Sequence, residues 1–427
     1  MTTTSQVLAP VRRTAANGLE IIVSSCNGGL ATIAVALPCG TTDETGTVPL
    51  GASLLLGRLL TQGSRLFPNA EALAMNLETL GGVYNAGTDQ DLTAIVASVP
   101  VDELAAALTA LVDLTTNPRL DQRVLGVERR RLSGQFRAAT AVPASRASDL
   151  ADKLMWPDSP EGRTSQEMAR AVPRLEREAL AALHQDRFRA GGAALAIATP
   201  GDPAAALDMA EAAVATAGWV SGTPVRAAAP ALGSGRVAAA PLKADLAYLS
   251  LIAPAVPRGH PDADGLSLTA VVLGGGATSR LFVEVREKRG LCYGIGCRYT
   301  AQANAGTIRV EAGVPADRLD DAMHAILEQF QDLAVAGTEA EVAKARALLL
   351  GHLAMESDRP ETWARRYSRD LVQLGRIRTY ADVVLGLSAV TPADVRRLAA
   401  TYLAPERLRF SVAGPGVTRA QVARFAR

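Results

Sequence analysis

The pattern of hydrophobic and polar residues divides the chain into short strands and longer helices. Strands are predicted after a turn near Ala15 and over residues 30–38, 84–88, 92–99 and 193–199. Helices are predicted over residues 50–60, 71–80, 101–115 and 119–138, with a long helical stretch over 146–184. The segment 39–49 is polar and is interpreted as a loop.

The second half of the chain repeats the order of the first half. A strand at residues 248–254 follows the strand at 32–38 with an offset of 216 positions. Near the other end, the Pro-Gly pair at 415–416 follows that at 200–201 with an offset of 215. One offset that holds from strand to C-terminus indicates two copies of a single αβ unit.

We therefore predict two homologous domains, residues 1–220 and 242–427, joined by an Ala-, Gly- and Pro-rich linker at 221–241. The strands and the helices come in separate runs and do not alternate strictly. This grouping favours an α+β class, in which each domain is a mainly antiparallel sheet covered by helices on one face.

Composition narrows the classes of function. The 427 residues are 48% hydrophobic and 20% charged, with a net charge of +1, so a globular chain is expected, with neither a nucleic-acid nor a membrane partner. Residues 1–10 do not have the pattern of a signal peptide, and a cytoplasmic location is expected. The four cysteines lack a C-x-x-C pair and are interpreted as reduced thiols: Cys26, Cys39, Cys292 and Cys297.

The most informative stretch is residues 273–293. An apolar helical run over 266–273 ends at Gly274, Gly275 and Gly276, where the lack of side chains lets a second chain segment come close. Ser279 is expected to cap a short basic helix over 280–288, and Gly290 to end it.

Within that helix, Leu281, Phe282 and Val285 are predicted to share one face, with Arg286 on another. Tyr293 begins the next predicted strand. Taken alone, these residues fit a solvated helix Arg and a half-buried strand Tyr. A phosphate-binding role for the glycines is disfavoured, because it requires a preceding strand and a following Gly-Lys-Ser/Thr.

As a set, the residues from Gly274 to Tyr293 resemble the second-domain signature of the pitrilysin/insulinase clan of zinc peptidases, in its bacterial branch similar to mitochondrial processing peptidase. The resemblance spans about residues 15–416 and implies the metallohydrolase-like fold of LuxS and the processing peptidases. In that family an Arg and a Tyr seven residues later hold the substrate carbonyl at the zinc site of a facing domain. The matching positions, Arg286 and Tyr293, are implied to be catalytic.

The resemblance also implies substrate-binding positions at Gly274, Gly275 and Gly276, and at Asn85 on a substrate-side edge strand. It places a His-x-x-Glu-His zinc motif on the helix at 50–60.

The matching positions for that motif are Leu54, Gly57 and Arg58, and Gln135 stands for a downstream Glu ligand. Leu has no lone pair to give, Gly has no side chain, and a guanidinium is a permanent cation. We therefore expect no cofactor in this chain. No two of the four histidines have ligand spacing: His184, His260, His324 and His352.

The resemblance implies the non-zinc-binding subunit of a heterodimeric metallopeptidase. Its expected partner is a homologous subunit that carries zinc and His-x-x-Glu-His, and its expected substrate is an unfolded peptide, such as a leader peptide. An alternative is a catalytically silent scaffold subunit, as related chains are in respiratory complexes, or a peptide-binding protein. A nucleotide-binding enzyme that uses Gly274–Gly276 is a third interpretation.

Overall fold

A computed structural model describes residues 10–426. The segment 1–10, in which no signal peptide is expected, lies almost entirely outside these residues. The described chain forms two compact units. The first comprises residues 10–133, 170–227 and 353–381, and the second comprises residues 134–169, 228–352 and 382–426.

The helices form much of both units. In the first half of the chain they are α1 (Ala52–Leu59), α2 (Ala70–Thr79), α3 (Leu104–Thr116), α4 (Gln122–Thr140), α5 (Pro143–Met155), α6 (Ser165–Ala171), α7 (Arg177–Arg187) and α8 (Pro203–Ala217). In the second half they are α9 (Ala263–Gly274), α10 (Leu319–Ala336), α11 (Glu339–Ser357), α12 (Pro360–Leu374), α13 (Tyr380–Ala389), α14 (Pro392–Tyr402) and α15 (Arg419–Ala423).

The first unit contains a six-stranded sheet. Its strands are β1 (Val11–Thr14), β2 (Glu20–Ser25), β3 (Leu30–Leu37), β4 (Val83–Thr88), β5 (Thr93–Pro100) and β6 (Ala194–Thr199). They lie in the order β1-β2-β6-β3-β5-β4, and all neighbours are antiparallel except β2 and β6.

The second unit repeats this topology. Its strands are β7 (Val237–Pro241), β8 (Ala247–Ala255), β9 (Gly294–Ala301), β10 (Gly306–Val314) and β11 (Arg409–Gly414). The order is β7-β11-β8-β10-β9, and only the β7–β11 pair is parallel. The order matches β2-β6-β3-β5-β4 strand for strand, so the predicted fold class, two αβ repeats with mainly antiparallel sheets, is confirmed.

Helices cover both faces of the first sheet, so the prediction of one covered face is wrong. On one face, Trp363 and Tyr367 of α12 pack against Ile22. The alternate residues Ile21 and Val23 are also fully buried, and α3 and α8 pack against the strands on that side. The prediction came from the grouping of strands and helices into separate runs, and such grouping does not show that a helix distant in sequence, α12, covers the second face.

In each unit, one of the helices that cover the sheet comes from the other half of the sequence. Helix α12 belongs to the second half and packs on the first sheet, whereas α5 belongs to the first half and packs on β8 and β11. The compact units therefore differ from the predicted ranges 1–220 and 242–427. The end of the predicted linker, 221–241, is also structured, because it forms β7.

The predicted helical stretch at 146–184 is three helices, α5, α6 and α7, separated by bends and short 3-10 turns. Pro160 and Pro173 lie in those breaks, because proline lacks the N–H that a continuous helix needs. Among residues 10–426, none of the helices combines the length and apolar character that crossing a membrane requires.

Candidate functional site

Asn85 lies on β4, which is an edge strand of the first sheet. Residues of this strand alternate between exposed and half-buried positions, and Asn85 and Val83 are on the exposed side. An edge strand has unpaired backbone N–H and C=O groups that an extended peptide can pair with. The structure therefore places Asn85 on an edge strand, as the resemblance implies. The role of Asn85 in substrate binding stays a prediction.

The glycine loop joins α9 to the segment that carries Arg286. A side chain at Gly274 would place its Cβ 2.2 Å from the backbone nitrogen of Cys297 in β9, so only glycine allows this approach. The close second segment is therefore the protein's own strand. Gly275 and Gly276 are exposed, and their predicted contact with substrate is not tested by this packing.

The loop after the glycines is anchored by α11. Arg280 donates two hydrogen bonds to Glu341, at 2.6 and 2.9 Å, and Lys344 donates to the carbonyl of Thr278. Burial raises the pKa of Glu341, but the Arg280 and Thr338 hydrogen bonds outweigh it and lower the pKa to about 2. The predicted cap is wrong, since the Ser279 hydroxyl is buried without a hydrogen-bond partner.

Arg286 lies on a π-helical segment, Phe282–Glu287, which follows two residues of α-helical conformation, Arg280 and Leu281. The Lys288 amide donates to the carbonyl of Val283, five residues back, at 2.9 Å. Gly290, with φ of 58°, ends the segment as predicted. π-Helical turns are rare and are frequent at functional sites.

The guanidinium of Arg286 lies over two aromatic rings. Its central carbon is 4.4 Å from the Phe282 ring centroid and 5.4 Å from that of Tyr293. Leu281 and Val285 are fully buried, as predicted, but Arg286 does not lie away from Phe282. The structure thus brings the predicted pair, Arg286 and Tyr293, into direct contact.

The polar groups of this pair remain available to a ligand. Tyr293 is 84% exposed. Among the described residues the Arg286 side chain donates no hydrogen bond, and its ion pair is with Glu287 at 3.4 Å. The ion pair with Glu287 is made at Nε, and no hydrogen bond engages the Nη groups among the described residues, so these groups can donate to a carbonyl oxygen.

A cavity of about 590 Å³ in the second unit borders Gly294, the first residue of β9. The Glu311 carboxylate in its wall is paired: it accepts hydrogen bonds from the Ser148 hydroxyl and the Arg298 guanidinium, each at 2.5 Å. Behind it, burial raises the pKa of Asp152 to about 6 against the opposing effect of Arg309. Paired charges of this kind stabilise the cavity wall and leave little for ligand recognition.

The zinc-motif positions lie on α1 of the first unit, and their surroundings do not fit a metal. A Cβ at Gly57 would lie 2.1 Å from the Thr88 hydroxyl oxygen, so the space for a catalytic Glu is filled. Leu54 is apolar. Within residues 10–426, no group of three or more His, Cys, Asp or Glu side chains could hold a metal ion.

Arg58 is paired with a carboxylate that sequence reasoning missed. Its Nη1 lies 3.5 Å from Glu128 of α4, and Arg131 contacts the same carboxylate at 2.6 Å. The Glu128 side chain is only 5% exposed, whereas Gln135, one heptad further along α4, is exposed. A guanidinium–carboxylate pair thus occupies the cation-binding side of α1. The seven-residue spacing between Glu128 and Gln135 was the available signal.

The loop before α1 is also organised by a buried carboxylate. Glu44 accepts hydrogen bonds from the amides of Gly51 and Ser53 and from the Ser53 hydroxyl, at 2.7, 3.0 and 2.5 Å. Burial raises the pKa of Glu44 to about 7, against the lowering effect of these bonds. Its neighbour Asp43 is paired with Arg187 at 3.3 Å. The loop is therefore fixed without a metal.

The comparisons with known proteins agree with this architecture. The profile described as "Insulinase (Peptidase family M16)" matches residues 21–167, and that described as "Peptidase M16 inactive domain" matches residues 174–349. An uncharacterized zinc protease of Mycobacterium tuberculosis is 28% identical over 96% of this chain and 94% of its own length. The mitochondrial-processing peptidase subunit beta of Dictyostelium discoideum is 20% identical over 94% of this chain and 88% of its own length.

A solved structure shows the same fold. The peptidase M16 inactive domain from Pseudomonas fluorescens superposes with a TM-score of 0.88, at 21% identity, over 96% of this chain and 100% of that one. The duplicated fold and these matches define a peptidase-related protein. The chain belongs to peptidase family M16, the insulinase family.

Proposed function

We propose that this chain is the non-zinc-binding subunit of a heterodimeric M16 peptidase, and that Arg286 and Tyr293 bind the substrate carbonyl in trans. The observation that carries the proposal is the contact of an exposed phenol with a guanidinium that donates no hydrogen bond among the described residues. The replaced positions Leu54, Gly57 and Arg58 mean that the partner must supply the zinc motif and the general base.

Arg286 and Tyr293 suit the charge that develops in peptide hydrolysis. As the carbonyl oxygen becomes an oxyanion, hydrogen bonds from a guanidinium and a phenol grow stronger than they are with the neutral carbonyl. Arg286 lies on the packed π-helical segment, and Tyr293 lies seven residues later, immediately before β9. In this proposal the chain binds and orients an unfolded peptide, with the exposed β4 edge and Asn85 as a second contact.

The partner proposed here is a homologous subunit with zinc bound at His-x-x-Glu-His. The relative named as a subunit of mitochondrial-processing peptidase supports an assembly of more than one chain. Its catalytic metal would be bound by the partner's residues, since the positions on α1 here cannot hold one.

The test is to produce this chain with a His-x-x-Glu-His homologue encoded beside it, and to measure cleavage of fluorogenic unstructured peptides. We expect turnover from the complex and none from this chain alone. Arg286→Ala and Tyr293→Phe should each raise the barrier by about 3–4 kcal/mol, the cost of one oxyanion donor.

Arg289→Ala is the matched control, because Arg289 lies three residues from Arg286 and is paired with Glu328 at 2.5 Å. It should leave turnover unchanged. Peptide cleavage by this chain alone, with metal bound to its own residues, would overturn the proposal. Wild-type turnover in both Arg286→Ala and Tyr293→Phe complexes would instead favour a scaffold subunit.

A further inference from the structure

Phe282 is the ring closest to the Arg286 guanidinium, at 4.4 Å against 5.4 Å for Tyr293. It is half-buried, and its neighbour Leu281 and the residue three further on, Val285, are fully buried. The π-helical segment packs against α10 and β9. Phe282 is therefore a half-buried residue of a packed segment, whereas Tyr293 is 84% exposed.

The arrangement limits where the Arg286 side chain can go. Its aliphatic stem leaves a packed helical turn, its guanidinium carbon lies over the Phe282 ring, and Nε forms an ion pair with Glu287 at 3.4 Å. Without the Phe282 ring, the guanidinium would be free to turn toward Glu287 and form a direct hydrogen bond. A cation over an aromatic face is attracted by the ring quadrupole at about this distance.

We propose that Phe282 is the positioning residue for Arg286: its ring fixes the guanidinium beside Tyr293 with the N–H edge directed outward. This inference rests on the proposed function of Arg286 and adds a residue that does not itself touch the substrate. Phe282→Leu keeps an apolar side chain but removes the ring, whereas Phe282→Tyr keeps the ring. The first should misplace Arg286 and the second should not.

The first readout uses this chain alone. In protein labelled with ¹³C and ¹⁵N at arginine, the Arg286 side-chain resonance, assigned by its loss in Arg286→Lys, should show an upfield ring-current shift. The part of that shift due to the Tyr293 ring, 5.4 Å from the guanidinium carbon, is measured as the change in Tyr293→Leu. We expect Phe282→Leu to abolish this Tyr293 part, because the guanidinium no longer stays beside that ring, and Phe282→Tyr to preserve it. Phe330→Leu is the control, because Phe330 is a buried ring of α10 in the same unit.

The second readout is turnover in the complex with the zinc-bearing homologue. Phe282→Leu should lower kcat roughly 10- to 100-fold with little change in KM, as expected for a misplaced donor, and Phe282→Tyr should restore it. A merely structural role would lower the amount of folded complex and not kcat per folded complex. If Phe282→Leu does not fold, Phe282→Met fills the same space without a ring and replaces it.

The outcomes separate the two proposals. A Tyr293 part of the ring-current shift that persists in Phe282→Leu would overturn the positioning role whatever the turnover. Normal kcat in Phe282→Leu, alongside inactive Arg286→Ala, would overturn the positioning role and leave the proposed function intact. Normal turnover in Arg286→Ala would overturn the proposed function, and with it any catalytic purpose for Phe282.

Discussion

The tightest contact at the positions that the resemblance matches to the zinc motif gives the sharpest prediction. Gly57 of α1 faces Thr88 of β4, and a Cβ built on Gly57 would lie 2.1 Å from the Thr88 hydroxyl oxygen and 3.3 Å from its Cβ. The hydroxyl is itself held, at 2.8 Å from the Thr93 hydroxyl and 3.3 Å from the carbonyl of Ser53. Gly57→Ala must therefore displace a bonded, β-branched side chain.

Two effects of opposite sign determine how much Gly57→Ala changes the free energy of unfolding. Overpacking a filled site costs roughly 1–3 kcal/mol. Replacing glycine by alanine inside a helix gains about 1 kcal/mol. Gly57→Ala should therefore lower the free energy of unfolding by about 0–2 kcal/mol in the wild-type background. In a Thr88→Ala background the 2.1 Å clash is removed and only the Cβ contact at 3.3 Å remains, so the same change should raise the free energy of unfolding by up to about 1 kcal/mol.

The assay is a double-mutant cycle by urea denaturation. We expect a coupling free energy of about 1–3 kcal/mol between Gly57→Ala and Thr88→Ala, the overpacking term alone. Gly134→Ala in α4 is the matched control, because no neighbouring atom lies within 4 Å of its built Cβ. It should stabilise equally in both backgrounds. A coupling within about 0.5 kcal/mol of zero would refute the reasoning.

The remaining predictions concern the exchanged helix and the buried loop carboxylate. Trp363→Ala should lower the free energy of unfolding by about 3–5 kcal/mol, since Trp363 is 2% exposed and packs on Ile22 of the first sheet. Arg365→Ala, on the exposed side of α12, is the control. Equal urea midpoints for the two variants would contradict the packing role of Trp363. Glu44, with its pKa raised by burial from 4.5 to about 7, retains in the folded state a proton that the unfolded chain releases. Its contribution to stability is therefore full below pH 4.5 and is lost as the pH rises through about 7. Urea midpoints measured from pH 4 to pH 8 should fall in the wild type and change less in Glu44→Gln. Identical midpoint profiles for the two proteins would count against the raised pKa.

Local sequence determined the elements and the duplication. Strand and helix periodicities predicted β3, β5, α1 and α9, because an element with a buried face has apolar residues at the regular spacing of a strand or a helix. The constant offset predicted two sheets of one topology. The glycine at position 290 predicted the end of the segment that carries Arg286, because a positive φ is easiest for glycine.

The aromatic contact was decided by tertiary structure. Helical periodicity assumes 3.6 residues per turn, and a face assignment on that basis separated Arg286 from Phe282. The segment is instead π-helical and packed against α10 and β9, and it brings both aromatic rings to the guanidinium. The i, i+4 spacing of Phe282 and Arg286 was a usable signal.

The sequence alone determined which side chains we propose for chemistry, a cationic Arg and a phenolic Tyr seven residues apart, and which residues occupy the positions matched to the zinc motif. Tertiary structure alone decided what those positions contact, namely Thr88 against Gly57 and Glu128 against Arg58. It also decided which helix covers which sheet. The physical reason is that these contacts join residues distant in sequence, and local propensity and periodicity contain no information about such partners.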